Sequence, residues 1–124
     1  MAYEIPVLIV AHEAAADLSA KKYRVVKLAT GGKVDVVSGA TDVPYGILQN
    51  KPTSGQTAEV MILGISKVES DAALAVGDII AGQTDGQLEV ADAADFPIGL
   101  VVEASGAAGE LASAFINPSL VAKA

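Results

Sequence analysis

The strongest constraint on the fold of this chain is an internal repeat, in which residues 23–36 align with residues 77–90 at a constant offset of 54. Three positions are identical in the two copies: Thr30 and Thr84, Gly32 and Gly86, and Val36 and Val90. Four further positions carry similar residues, because Val25, Val26, Val34 and Asp35 align with Ile79, Ile80, Leu88 and Glu89. Self-similarity of this kind indicates that one supersecondary unit occurs twice in the chain.

The repeat continues after the loss of one residue, because the motif Asp-x-Pro-x-Gly occurs at residues 42–46 and again at residues 95–99. The prolines and glycines of the two motifs are Pro44, Gly46, Pro97 and Gly99. Strand-prone segments beginning at Glu59 and at Glu110 complete the two copies. We expect the prolines to open strands, where a missing N–H is tolerated, and the glycines to mark bulges or bends.

Short β-branched segments occupy most of each copy. Residues 24–29 and 33–37 flank a Gly-Gly pair that ends at Gly32, and residues 78–81 and 87–90 flank an Asp-Gly pair that ends at Gly86. Such pairs between strand-prone segments predict tight hairpin turns with positive φ. Residues 59–68, 98–103 and 110–116 are the other strand candidates, whereas residues 12–20 and 70–76 are short enough to be connecting turns.

These patterns predict an all-β fold built from two similar hairpin-strand-strand units. Neither unit can bury a core alone, so we expect the two to close against each other as a compact β-sandwich or small barrel. A chain of 124 residues suits one domain. We expect this domain over residues 13–119, with repeats at about 23–70 and 77–119, between an arm at 1–12 and a tail at 120–124.

The amino-terminal segment lies outside the repeat and is strongly strand-prone. Its apolar and aromatic residues are Tyr3, Ile5, Pro6, Val7, Leu8 and Ile9. Left exposed, a segment of high β-propensity and low charge is an aggregation hazard, so it must be covered. Two interpretations stay open: an edge strand of its own domain, or an arm that pairs with a neighbouring subunit or another protein by strand addition.

Composition leaves little material for chemistry. The chain has no cysteine, so thiolate chemistry is excluded. It has one histidine and a net charge of −7, so it holds few of the residues that acid–base catalysis or nucleic-acid binding requires. The His12-Glu13 pair resembles the start of a zinc-protease motif, but Ala16 stands where the second histidine is required. No apolar run approaches the length of a membrane span. We expect no catalytic, cofactor or metal site, no nucleic-acid partner and no membrane partner.

Charge is divided unequally between the two copies. Residues 59–110 hold ten acidic residues and only Lys67 as a base, a sum of −9. Two interpretations stay open: a solvated acidic face that aids solubility, or a face that points away from DNA or anionic partners, which it would repel. We expect the two halves of the domain to face different surroundings.

The stretch Pro44-Tyr-Gly-Ile-Leu-Gln-Asn-Lys-Pro52, together with residues 55–68 and 75–80, resembles the small capsid cement or decoration proteins of tailed bacteriophages. The resemblance covers roughly residues 18–117 and is a pattern of strands and turns. It implies a β-rich homotrimer that binds the major capsid protein on the outer surface of the phage head, after synthesis in the host cytoplasm, and stabilises the expanded shell.

An aliphatic β scaffold without reactive groups also suits a structural protein on physical grounds. An enzyme is the least favoured class. Two other classes stay open. One is a different virion structural module, such as a head-fibre base or a tail-associated part. The other is a small-ligand or carbohydrate-binding β module, which requires a concave pocket with convergent polar groups.

Overall fold

Antiparallel pairing dominates the computed structural model of the chain, which describes residues 2–124, and the all-β prediction is confirmed. The strands are β1 (Ile5–Glu13), β2 (Val25–Ala29), β3 (Lys33–Val36), β4 (Gly46–Leu48), β5 (Thr57–Glu69), β6 (Ile79–Gly82), β7 (Leu88–Val90), β8 (Gly99–Glu103) and β9 (Leu111–Ile116). A single turn of 3-10 helix connects the strands within each hairpin: Thr30–Gly32 between β2 and β3, and Thr84–Gly86 between β6 and β7. Within residues 2–124, no helix has the length and apolar character that crossing a bilayer requires.

The strands form one curled antiparallel sheet with the shape of a half-barrel. Its order is β3-β2-β4-β5-β9-β8-β6-β7, and β1 pairs with β5 outside this path. Ile65 of β5 pairs with Ile5 of β1 and also with Phe115 of β9, so β1 and β9 lie on opposite edges of β5. The long strand β5 therefore joins the two halves of the sheet and the amino-terminal strand.

Two similar hairpin-strand-strand units make up this sheet, as predicted. The first unit contains β2 to β5 and the second contains β6 to β9. Their registers match: Val26 pairs with Val36 in the first hairpin, as Ile80 pairs with Val90 in the second. The next strands match as well, because the pair of Val25 and Ile47 corresponds to the pair of Ile79 and Leu100.

Both hairpin turns adopt the backbone conformation that their sequences favour. In the first turn, Gly31 and Gly32 have φ of 79° and 74°. In the second turn, Asp85 and Gly86 have φ of 60° and 74°. Gly86 meets a second requirement, because a Cβ there would lie 2.6 Å from the carbonyl oxygen of Val25 in the first hairpin. The second turn therefore packs directly on the first unit.

The Asp-x-Pro-x-Gly motifs lead into β4 and β8, with Pro44 and Pro97 two residues ahead of the first strand residue. The ladder keeps its register at Gly46 and Gly99, so neither glycine forms a bulge. Both glycines allow a close approach of backbones instead. A Cβ would collide with the carbonyl oxygen of Met61 at Gly46, and with that of Phe115 at Gly99.

The two units stack on each other, and each has two apolar faces. The inner face carries Val26, Leu48 and Val60 in the first unit, and Ile80, Val101 and Ala114 at the corresponding positions of the second. The outer face carries Val25, Ile47 and Met61 in the first unit, and Ile79, Leu100 and Phe115 in the second.

One core cluster lies between the units, where the outer face of the first unit packs on the inner face of the second. A second cluster lies on the inner face of the first unit, where Ala14 and Leu18 cover it. The buried residues of both clusters are aliphatic.

Candidate interaction surface

The amino-terminal segment enters the sheet of its own chain as strand β1. Its register with β5 runs from Ile5 opposite Ile65 to Glu13 opposite Thr57. Just beyond β1, Ala14 forms an isolated bridge to Val34 of β3. Among residues 2–124, no strand pairs along the second edge of β1, which leaves that edge available to another chain.

Gly64 of β5 makes the pairing with β1 possible. Its φ is 130°, and a Cβ there would lie 2.7 Å from both the carbonyl oxygen of Ile5 and the amide nitrogen of Val7. The register shifts between Pro6 and Leu8, so Val7 bulges outward. Sequence reasoning did not single out Gly64, although an isolated glycine inside a strand pattern is a signal for close backbone approach.

Polar contacts hold both ends of the segment in place. The amide of Tyr3 donates to Ser113 Oγ at 2.6 Å, and Ser113 Oγ in turn donates to the carbonyl of Tyr3 at 2.8 Å. At the other end, the ring nitrogens of His12 lie 2.9 Å from the carbonyl oxygen of Gly32 and 2.8 Å from the Tyr45 hydroxyl. The histidine thus links β1 to the first unit as a packing residue.

The six apolar residues singled out in the amino-terminal segment remain accessible after this docking. The exposed fractions are 41% for Tyr3, 55% for Ile5, 68% for Val7, 45% for Leu8 and 44% for Ile9, and Pro6 is also exposed. Further along the same strand, Val10 and His12 are half-buried, and Val10 packs against the core cluster on the inner face of the first unit. Contiguous exposed apolar side chains are typical of interaction surfaces.

A second apolar feature crosses the sheet at right angles to β1. Five side chains that are register neighbours on successive strands form it, and we call it the exposed row: Ile5, Phe115, Leu100 and Ile79, which are exposed, and Ile65, which is half-buried. Directly opposed residues of an antiparallel ladder point to the same face. Four strand spacings make the row about 19 Å long. Sequence reasoning missed it, because adjacent apolar pairs such as Ile79-Ile80 do not show which residue faces outward.

The basic residues of the first unit are largely engaged in ion pairs. Arg24 Nε lies 2.6 Å from Glu69 Oε2, Lys27 Nζ lies 3.0 Å from Asp42 Oδ2, and Lys21 Nζ lies 3.8 Å from Asp85 Oδ1. Three of the four basic residues in the segment 21–27 therefore have an acidic partner. Within the described residues, no group of three or more His, Cys, Asp or Glu is placed to hold a metal ion.

Two surface depressions accompany these features. One, of about 360 Å³, is lined mainly by polar side chains and includes Lys22, whose Nζ lies 4.8 Å from the centroid of the Tyr23 ring. The other, of about 280 Å³, is apolar and lies between Leu28, Val43 and Leu120. Ser19, Lys51 and Glu69 also line the first depression, and Lys27 and Asp42 also line the second.

The fold and these surfaces define a class of protein: a twice-repeated all-β module with an apolar edge strand. Comparison with protein-family models finds no match, and comparison with curated proteins finds none. Among solved structures, the chain is similar to the N base of the head fibre protein gp8.5 of bacteriophage phi29, with a TM-score of 0.71 and 18% identity. The alignment covers 92% of this chain and 98% of that chain. The two proteins therefore share a fold over nearly their whole lengths.

Proposed function

We propose that this chain is a structural protein of a bacteriophage virion, which binds the outer surface of the head as a decoration (cement) protein and stabilises the shell by bridging capsomers. The observation that carries the proposal is strand β1, an apolar edge strand with an available outer edge. The shared fold with a phage head fibre base supports placing the chain on a phage head.

The physical basis of attachment is strand addition. The outer edge of β1 presents N–H and C=O groups that an extended segment of the major capsid protein can pair with. Exposed side chains of β1 such as Val7 and Ile9 then supply apolar contacts to the added strand. Attachment of this kind needs neither metal nor cofactor.

A homotrimer makes such attachment strong without a strong individual contact. Three copies joined in one particle bind the shell at high effective concentration, so their combined affinity exceeds that of each copy by orders of magnitude. The major capsid protein and other copies of this chain are therefore the proposed partners, and the outer surface of the head is the proposed location.

A second candidate function is the base of a head fibre, and the structural comparison favours it directly. A base also binds the shell but carries a fibre rather than bridging capsomers. Cryo-electron microscopy of particles that contain the chain distinguishes the two: a cement lies between capsomers, whereas a base lies beneath fibre density.

Binding to expanded heads that lack the chain tests the attachment. Val7→Lys places a charge on β1 at a side chain that is 68% exposed, and Val76→Lys makes the same change at a loop position that is also 68% exposed. We expect Val7→Lys, and deletion of residues 1–10, to reduce head occupancy at least tenfold while Val76→Lys binds like the unaltered chain. Unchanged occupancy for Val7→Lys and for the deletion would overturn the proposal.

A further inference from the structure

The first unit has a tyrosine at a position where the second unit has a glycine. Tyr23 and Gly77 are equivalent in the repeat, and both have positive φ, of 69° and 93°. The amide of Tyr23 donates to the carbonyl of Leu48 at 2.8 Å, and the amide of Gly77 donates to the equivalent carbonyl of Val101 at 2.9 Å. The two units therefore have the same left-handed backbone at this point.

A glycine adopts this backbone without strain, whereas a tyrosine does not. In a bulky residue the Cβ crowds the neighbouring backbone at positive φ, so such residues are conformational outliers that cluster at functional sites. A glycine at position 23 would satisfy the backbone as it does at position 77. The backbone therefore does not account for Tyr23, and the reason for it lies in the side chain.

The Tyr23 side chain lies in the polar surface depression of about 360 Å³ and gathers lysines there. Lys22 Nζ lies 4.8 Å from the centroid of the Tyr23 ring, and Lys67 Nζ lies 6.0 Å from it. Both distances allow cation–π attraction, which holds the two ammonium groups at one ring. Lys51 lines the same depression and is exposed. Three positive charges thus converge on one concave surface.

These three lysines differ from most other basic residues of the chain. Of the eight basic residues, ion pairs in the part of the chain that the structure describes engage four: Lys21, Arg24, Lys27 and Lys33. The carboxylate that lines the depression belongs to Glu69, and its Oε2 already accepts a hydrogen bond from Arg24 Nε at 2.6 Å. The depression therefore keeps an excess of positive charge in a chain of net charge −7.

An acidic peptide fits this depression better than a nucleic acid does. Lysine ammonium groups donate charge-assisted hydrogen bonds to carboxylates, and a tyrosine ring offers an apolar surface to the methylene groups of Asp or Glu. A nucleic acid needs a basic track along its phosphates, and the acidic remainder of this chain would repel it. A short acidic segment places its charges only where the lysines are.

We propose that the depression around Tyr23 binds an acidic segment of another protein. Lys22, Lys51 and Lys67 pair with its carboxylates, and the Tyr23 ring packs against the methylene groups that carry them. The residues that line the depression lie outside β1. The contact therefore goes beyond the strand addition that we assigned to the edge of β1.

Titration of the isotope-labelled chain with a hexaglutamate peptide at low ionic strength tests the proposal. We expect amide chemical shifts to change at residues 19–23, 51 and 67, and hexaglutamine to have no effect. Lys22→Glu is expected to weaken hexaglutamate binding at least tenfold. Lys123→Glu is the matched control, because it makes the same change of charge at an exposed position of the tail. Absence of shifts, or equal weakening by both substitutions, would overturn the proposal.

Substitution of Tyr23 tests the role of the ring. Tyr23→Gly places the residue found at position 77 on the same backbone, so we expect the chain to stay folded and to bind hexaglutamate about fivefold more weakly. Tyr23→Phe keeps the ring and is expected to bind like the unaltered chain. A Tyr23→Gly chain that binds equally well, or one that no longer folds, contradicts a binding role for the tyrosine.

An oligonucleotide of the same charge as hexaglutamate distinguishes the two kinds of anion. We expect it to bind more weakly at these amides, and equal or tighter binding would overturn the assignment to an acidic peptide. Both titrations use the chain alone. Their failure therefore leaves head attachment through β1 standing, and a failure of head attachment leaves the peptide contact standing.

Discussion

Gly82 lies directly against Val25, so that a Cβ atom on Gly82 would stand 2.9 Å from the Cβ of Val25. Gly82 corresponds to Leu28 in the first unit, where the side chain is 55% exposed. The two units are therefore similar in backbone but distinct at the place where one stacks on the other. A missing side chain in the second unit makes room for a buried valine of the first.

The contact predicts that Gly82→Ala destabilises the protein. In a strand, replacing glycine by alanine ordinarily stabilises a protein. We expect the opposite at Gly82, because the added methyl group overpacks the contact and lowers the free energy of unfolding by about 1–3 kcal/mol. Urea-induced unfolding measures it. Leu28→Ala, at the equivalent exposed position, is expected to change the free energy of unfolding by no more than about 0.5 kcal/mol. Equal stability of Gly82→Ala and the unaltered protein would contradict the stacking.

Gly64 controls the docking of β1, and Gly64→Ala is predicted to release that strand. The new Cβ would meet backbone atoms of Ile5 and Val7, which cannot move without breaking the ladder. Amide hydrogen exchange should become faster in residues 5–13. Gly55→Ala is the control, because Gly55 also has positive φ but no atom lies within 4 Å of its added Cβ. Equal amide exchange rates of residues 5–13 in the two variants would contradict this role of Gly64.

The hydrogen bonds of the Asp42 carboxylate predict that the folded protein loses stability in acid. The carboxylate accepts hydrogen bonds from the Ser38 amide and hydroxyl, each at 2.8 Å, and from Lys27 Nζ at 3.0 Å. The Ser38 bonds first, and Lys27 next, lower the pKa of Asp42 to about 2. Because the folded pKa lies below the unfolded value of about 3.9, this stabilisation is present above about pH 4 and is lost as the pH falls toward 2.

Asp42→Asn tests this dependence. The variant is expected to be less stable than the unaltered protein by about 1 kcal/mol at pH 7, and the difference should shrink as the pH approaches 2. Thermal unfolding at several pH values measures it, with Glu59→Gln, at an exposed position, as the control. A difference that stays constant from pH 7 to pH 2 would contradict the role of the carboxylate.

Local sequence signals predicted most of the regular structure. The candidate strand at residues 24–29 is observed as Val25–Ala29, and that at residues 59–68 as Thr57–Glu69. These predictions succeed because β-branched segments and turn glycines act over a few neighbouring residues. Gly46 and Gly99, expected to mark bulges or bends, keep the register of the ladder. The sequence could not show that each lies against a carbonyl oxygen, because that contact is made with a strand distant in sequence.

Local sequence patterns are enough to predict an all-β chain, a hairpin-strand-strand unit that occurs twice, and the positions of the turns. Which face of each unit is covered, and where the amino-terminal strand docks, depends on the packing of segments that are distant in the sequence. Ile79-Ile80 and Leu100-Val101 are apolar on both faces of the sheet, so alternation along the strand cannot distinguish inside from outside. Burial at these positions depends on whether a unit more than 50 residues away packs on them, and that is decided only when the two units stack.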